Sequence, residues 1–320
     1  MVIAGIDEAG YGPVLGPLVS ASCAFRVPGS EGLPCVWKML RRAVSKTKCA
    51  KGKRLHVNDS KQVYSPSKGL SELERAVLCL LEQATRPATT LSEVLACVDA
   101  DLAQFLPQYR WYDPALDERF PLAIEPASHR ISANFYSRES QLASVACVHF
   151  RAHVLLERQF NEMCGKTRNK ASALFSLVAR HIDALLNQFS NEYLHIVCDR
   201  QGGRSHYGDL LRLMFEEWSL EILSEAESCS EYRLTNGSRA ALITFCEKGE
   251  SISLPTAAAS MLAKYTREAL MTRFNAFWQK QVPGVEATAG YYNDGMRFLG
   301  DIAAARSAMR VADVDLVRQR

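Results

Sequence analysis

No two cysteines in this chain stand in C-x-x-C spacing, although there are ten of them, at positions 23, 35, 49, 79, 97, 147, 164, 198, 229 and 246. That absence removes the usual zinc-site and thioredoxin-like readings. Several of the thiols lie within apolar runs, Cys79 in AVLCLLE and Cys198 in HIVCD, where free cysteine behaves as a small buried hydrophobe. At 320 residues the chain is long enough to build its own core, so a disulfide framework is not expected. No apolar run approaches the roughly 20 residues of a membrane span. The opening MVIAGIDEAG lacks the charged start and apolar stretch of a signal peptide. Strong charge is missing too: a net +3 permits a nucleic-acid partner without arguing for one, since dedicated binders carry a heavier basic bias. There is no internal repeat and no low-complexity tract. What is present, 48% hydrophobic and 23% charged residues, is the balance of a globular protein with a real core. The expectation is a cytoplasmic, non-membrane protein, monomeric, with one domain over 1–320 and insertions at about 86–128 and 205–250.

Along the chain, VIAGI (2–6), PLVSASCAFRV (17–27) and YLHIVCD (193–199) read as buried strands. SHRISANFYSR (128–138) resembles a strand as well, and SLEILSEAES, SEYRLTNGS and AALITFCEKGES form a later set of three. Helical spacing is found in 69–85, 140–163 and 169–189, the last opened by a capping Asn169. The clearest helix is 253–278, with Pro255 and Thr256 at its start. The 86–128 stretch is proline-rich and irregular.

Acids stand at conspicuous places in this outline. Asp7 and Asp199 close strands, Glu8 adjoins the first, and Glu268 lies on the long helix. In an extended strand neighbouring side chains face opposite ways, so Asp7 and Glu8 can share a ligand only if the strand ends at Asp7 and bends at Gly10. Ionised carboxylates held close raise each other's pKa unless a cation sits between them. Oxygen-only ligands suit Mg²⁺ or Mn²⁺, and a carboxylate-bridged pair of such ions is a device for phosphodiester cleavage. The histidines at 129, 181, 195 and 206 show no ligand-pair spacing. RQGGRSHYG (200–208), glycine-rich and basic directly after Asp199, suits close backbone approach to a phosphate.

Five ordered segments carry a resemblance: GIDEAGYGPVLGPLV, NDSKQ (58–62), IVCD (196–199), LPTAAASMLAKYTREALM (254–271) and AGYYNDGMRFL (289–299). Together they resemble the type 2 ribonuclease H family. The resemblance implies an α/β ribonuclease H-like fold, a central mixed β-sheet flanked by helices with the acids meeting at its centre. It implies an endoribonuclease that uses two divalent ions, Mg²⁺ or Mn²⁺, to cleave RNA paired to DNA or to cut at ribonucleotides embedded in duplex DNA. The metal-binding and catalytic set it implies is Asp7, Glu8, Asp199 and, from the long helix, Glu268. The substrate contacts are Gly10, Tyr11, Gly12, Ser60, Lys61, Lys264 and Tyr291, the tyrosine stacking on the ribonucleotide sugar. Lys264, four residues before Glu268, shares its helical face and can pair with it instead.

The chain departs from the family pattern in three places. Tyr11 stands where the family's turn carries an arginine or lysine, Glu268 where it carries an aspartate, and YYNDGMRFL lacks its histidine. The loss of the turn cation leaves open a different nucleic-acid substrate, or a descendant that binds without cleaving. Retention of the acids counts against the latter, because buried unmetallated carboxylates cost stability.

Overall fold

The computed structural model describes residues 1–49, 53–116, 119–167 and 169–319; part of the basic loop after Lys48 and part of the 86–128 stretch lie outside them. Seven strands form the central sheet: β1 (Val2–Ala9), β2 (Leu18–Arg26), β3 (Ala146–Leu155), β4 (Leu194–Asp199), β5 (Ser219–Glu225), β6 (Cys229–Asn236) and β7 (Arg239–Cys246). In space they run β3-β2-β1-β4-β7-β6-β5. The inner strands β1, β4 and β7 are mutually parallel, and all the other pairings are antiparallel. This mixed sheet flanked by helices is the arrangement that the resemblance implied.

Alternation along β1 sets the two layers. Val2, Ala4 and Ile6 enter a core with the helix Lys170–Gln188, whereas Ile3 belongs to the core of the long helix Leu254–Gln281. The long helix starts where Ser253 caps it, its side chain accepting from the Thr256 amide, with proline in the first turn. Its N-terminus reaches the sheet directly. The Thr256 hydroxyl donates to the Val197 carbonyl of β4 at 2.8 Å. A Cβ on Gly5 would lie 2.0 Å from the Thr256 amide nitrogen, so only glycine allows the helix so near β1. Asn169 caps its helix as the sequence suggests, its side chain accepting from Ala171 at 2.9 Å.

Two elements exchange character relative to expectation. SHRISANFYSR is part of a helix, Pro126–Leu142: proline occupies its first turn, and the buried Ser132, Ala133, Tyr136 and Ser140 fall at helical spacing. The 140–163 run is instead β3 followed by a helix, Glu157–Thr167. Short apolar runs such as ACVHFRAHVL fit either period, and pairing with β2 decides for the strand. The 205–250 stretch carries β5, β6 and β7, so it extends the central sheet itself. In the 86–128 stretch, Trp111 packs on Phe274 and Trp278 of the long helix. The buried Glu74 carboxylate accepts from the amides of Leu122, Ala123 and Ile124, fastening the end of that stretch. Among the described residues no helix is long and apolar enough to cross a membrane.

Candidate functional site

Parallel strands place their C-terminal ends side by side, and in open α/β sheets that edge is where ligands bind. The β1–β4 ladder stops at Ile6 opposite Cys198, and the β4–β7 ladder at Asp199 opposite Cys246. Beyond those last pairs come Asp7 and Glu8 from β1, Asp199 from β4, and the chain leaving β7. That chain turns through Lys248 in the left-handed region, φ 56°, into a short helix, Gly249–Ile252, that carries Glu250. The Gly249 amide donates to Asp199 Oδ1 at 2.9 Å, fixing the turn to the end of β4.

β1 does not end at Asp7. It continues to Ala9, still paired with β2, so the bend expected at Asp7 is replaced by a one-sided loss of partner: β2 remains while β4 has stopped. Asp7 is 7% exposed, and Ser260 of the long helix acts on it to favour its charged form. Its Oδ1 accepts from the Glu8 amide at 2.7 Å. Burial, then the charges of Glu8 and Asp199, push the Asp7 carboxyl well above the ordinary carboxylate range. Burial and Asp199 push Glu8 up to about 8, against a partial lowering by Lys61 and a further rise from Glu250. Glu250 is pushed up to about 7 by burial and by Asp199. These groups feel one another: each of the three is raised in part by the negative charge of Asp199.

Glu268 is not part of this cluster. Its carboxylate accepts from the Tyr64 hydroxyl at 2.8 Å, Lys264 Nζ at 2.7 Å and Arg267 Nη1 at 3.4 Å. It lies eight residues beyond Ser260, about 12 Å along the helix axis at ~1.5 Å per residue. The Glu268 carboxylate thus has cationic partners of its own, and the acid that the chain leaving β7 brings near Asp199 is Glu250. The sequence held a signal for it. KGES follows an apolar run and precedes the alanine-rich helix, but reading AALITFCEKGES as strand throughout concealed an acid standing just past a strand end.

The other expected residues divide. Ser60 is buried, and its hydroxyl accepts from that of Ser260 at 3.0 Å. Lys61, next to it, is exposed and acts on Glu8. Lys264 is engaged with Glu268 and lies 4.9 Å from the Tyr64 ring centroid. Gly10 has φ +86°, and a Cβ there would meet the Pro17 carbonyl at 2.5 Å. Tyr291 is 55% exposed, with a ring carbon 3.9 Å from where a Cβ on Gly12 would stand. The Val14 amide donates to the Gly290 carbonyl at 2.8 Å, which holds the tyrosine beside the turn. Tyr11 has its hydroxyl pushed up by burial and by the charge of Glu8.

Two buried guanidiniums under this turn escaped the sequence reading. Arg318 Nη2 donates to the carbonyls of Gly10 at 2.6 Å and Tyr11 at 3.3 Å, and also to that of Pro13. Arg267 Nη2 donates to Ala289 at 2.8 Å and Leu15 at 3.2 Å. A lone arginine near the end of a chain gives no sign that it will fold back onto the beginning.

The donor set fits a hard divalent ion. Every group in the cluster offers oxygen, burial and then neighbouring charge raise three of them, and Glu250 Oε2 is buried with no hydrogen-bond partner. Among the described residues, no three His, Cys, Asp or Glu side chains are placed so that they could hold a metal ion together.

No family model and no curated protein matches the chain. Among solved structures it is similar to ribonuclease HII of Archaeoglobus fulgidus in a complex with PCNA, at 15% identity and a TM-score of 0.43, covering 100% of this chain and 95% of that one. It is similar to ribonuclease H2 of Pyrococcus horikoshii at 13% identity and a TM-score of 0.43, over 99% and 92% of the two chains. A Bst-RNase HIII in complex with Mn²⁺ is similar at 13% identity and a TM-score of 0.42, over 99% of this chain and 66% of that one. Likeness at this level assigns no role to any residue here; the site stands on its own geometry.

Proposed function

We propose that this chain is a divalent-metal-dependent endoribonuclease of the type 2 ribonuclease H kind. Its substrates are the RNA strand of RNA–DNA hybrids or ribonucleotides embedded in duplex DNA. One observation carries the reading: Asp7, Glu8, Asp199 and Glu250 meet at the C-terminal ends of three parallel strands, where burial and mutual repulsion raise Asp7, Glu8 and Glu250. These four acids would hold Mg²⁺ or Mn²⁺. When bound, a pair of such ions lowers the pKa of water and neutralises charge developing on a phosphodiester.

The chain's own residues supply position. Ser260 acts on Asp7 from the long helix, and its hydroxyl donates to Ser60. The Gly10–Gly12 turn, tied down by Arg318, leaves backbone close to an incoming strand. Tyr291 offers an exposed ring beside that turn for a ribose, where the 2′-hydroxyl distinguishes RNA from DNA. Lys61 stands at the rim as a point charge for a phosphate.

The test compares cleavage of a duplex containing one ribonucleotide with that of a continuous hybrid, in Mg²⁺ and in Mn²⁺. Asp7→Asn is expected to lower the rate at least ~10²-fold with the fold intact by circular dichroism. Undiminished, metal-dependent cleavage by that variant overturns the reading.

A further inference from the structure

The turn that joins β1 to β2 carries Tyr11, and the structure sets a cation from a distant segment over its ring. Lys170 Nζ, at the start of the helix Lys170–Gln188, lies 4.5 Å from the Tyr11 ring centroid and 5.9 Å from that of Phe160. Arg204 comes from the glycine-rich loop after Asp199. Its guanidinium lies 6.0 Å from the Phe175 ring and 5.9 Å from the Tyr207 ring, and its Nη1 is buried without a hydrogen-bond partner. The loop backbone is open: at Gly202 and Gly203 an added Cβ would find nothing within 4 Å.

We propose that Lys170, over the Tyr11 ring, and Arg204, over Phe175 on the same helix and over Tyr207, form a phosphate-binding rim that supplies from two distant segments the cation the glycine turn lacks. A strand crossing the carboxylates therefore has its phosphodiesters met on the Tyr11 side by Lys170 and Arg204. The aromatic rings hold the two side chains in place when no anion is present, and so reduce the ordering cost on binding. The guanidinium adds a planar fork that matches phosphate geometry.

This rests on the nuclease reading, and the experiment separates the two. Binding of a labelled RNA–DNA hybrid is measured in the non-cleaving Asp7→Asn background between about 50 and 200 mM salt. Each cation that neutralises a phosphate contributes about 0.9 to the slope of log K against log salt. Lys170→Ala and Arg204→Ala are each expected to lower that slope by about one and to weaken binding on every sequence alike. Lys170→Arg and Arg204→Lys are expected to restore the slope. Because Arg204 packs on two rings and its truncation can disturb the loop, the Lys170 pair of variants decides if the Arg204→Ala protein does not fold. An unchanged slope and affinity in folded Lys170→Ala, with the parent binding the hybrid normally, overturns the rim and leaves the nuclease reading standing. A parent that binds no hybrid at all overturns both.

Discussion

Glu8 and Glu250 illustrate what a buried acid does when nothing neutralises it. Burial and their neighbours push them up to about 8 and about 7, from ordinary values near 4.5. A folded-state pKa raised above the unfolded one contributes stability that is complete below the unfolded value and is lost as pH rises through the folded value. The metal-free protein is therefore expected to lose melting temperature as pH climbs from 6 to 9, and millimolar Mg²⁺ to restore it, by more at pH 9 than at pH 6. A flat profile in both conditions contradicts the account. Glu268 is ion-paired with Lys264 at 2.7 Å and with the buried Arg267 at 3.4 Å. Glu268→Gln is expected to cost about 1–3 kcal/mol of unfolding free energy in chemical denaturation, since it leaves a buried arginine short of an acceptor charge. Asp7, Glu8 and Asp199 stood out in the sequence because each closes or adjoins a recognisable apolar run. Glu250 did not, since an acid one turn past β7 looks the same in sequence as an acid at the end of it.

Elements were legible where one period dominated and obscure where two fitted. The long helix announced itself by its serine-proline start and alanine-rich face, and the helix after Asn169 by its cap. The exchange between Pro126–Leu142 and β3 arose because tertiary pairing with β2, which a single sequence does not display, settles a run compatible with both periods. Contact between elements was equally hidden. Gly5 reads as one small residue in an apolar strand, yet it is the point at which the helix N-terminus meets the sheet. Gly5→Ala would drive a Cβ against the Thr256 backbone and is expected to destabilise the protein by about 3 kcal/mol or more, read as a shifted urea midpoint. Recovery of wild-type stability in that variant would show that the helix is free to move, and that Ser260 is less firmly held beside Asp7 than described.

At the scale of the whole molecule, the site is assembled from residues spread over nearly the full chain. The sheet delivers the acids, the long helix brings Ser260 to act on Asp7, and Arg318 reaches back 308 positions to hold the turn at Gly10. Arg318→Ala is expected to lower the melting temperature and to open the Gly10–Pro13 segment to limited proteolysis, because three carbonyls lose their shared donor. The central mixed sheet followed from the order of motifs in the sequence. The closure of the chain end over its beginning did not, since it depends on a buried arginine with no local pattern.

The most direct measurement is a calorimetric titration of Mn²⁺ into the metal-free protein and its Glu250→Gln and Glu268→Gln variants at pH 7.5. The account expects Glu250→Gln to weaken binding by about tenfold or more, through loss of a ligand charge, and Glu268→Gln to bind as the unmodified chain does. Strong loss at position 268 with none at position 250 would contradict it.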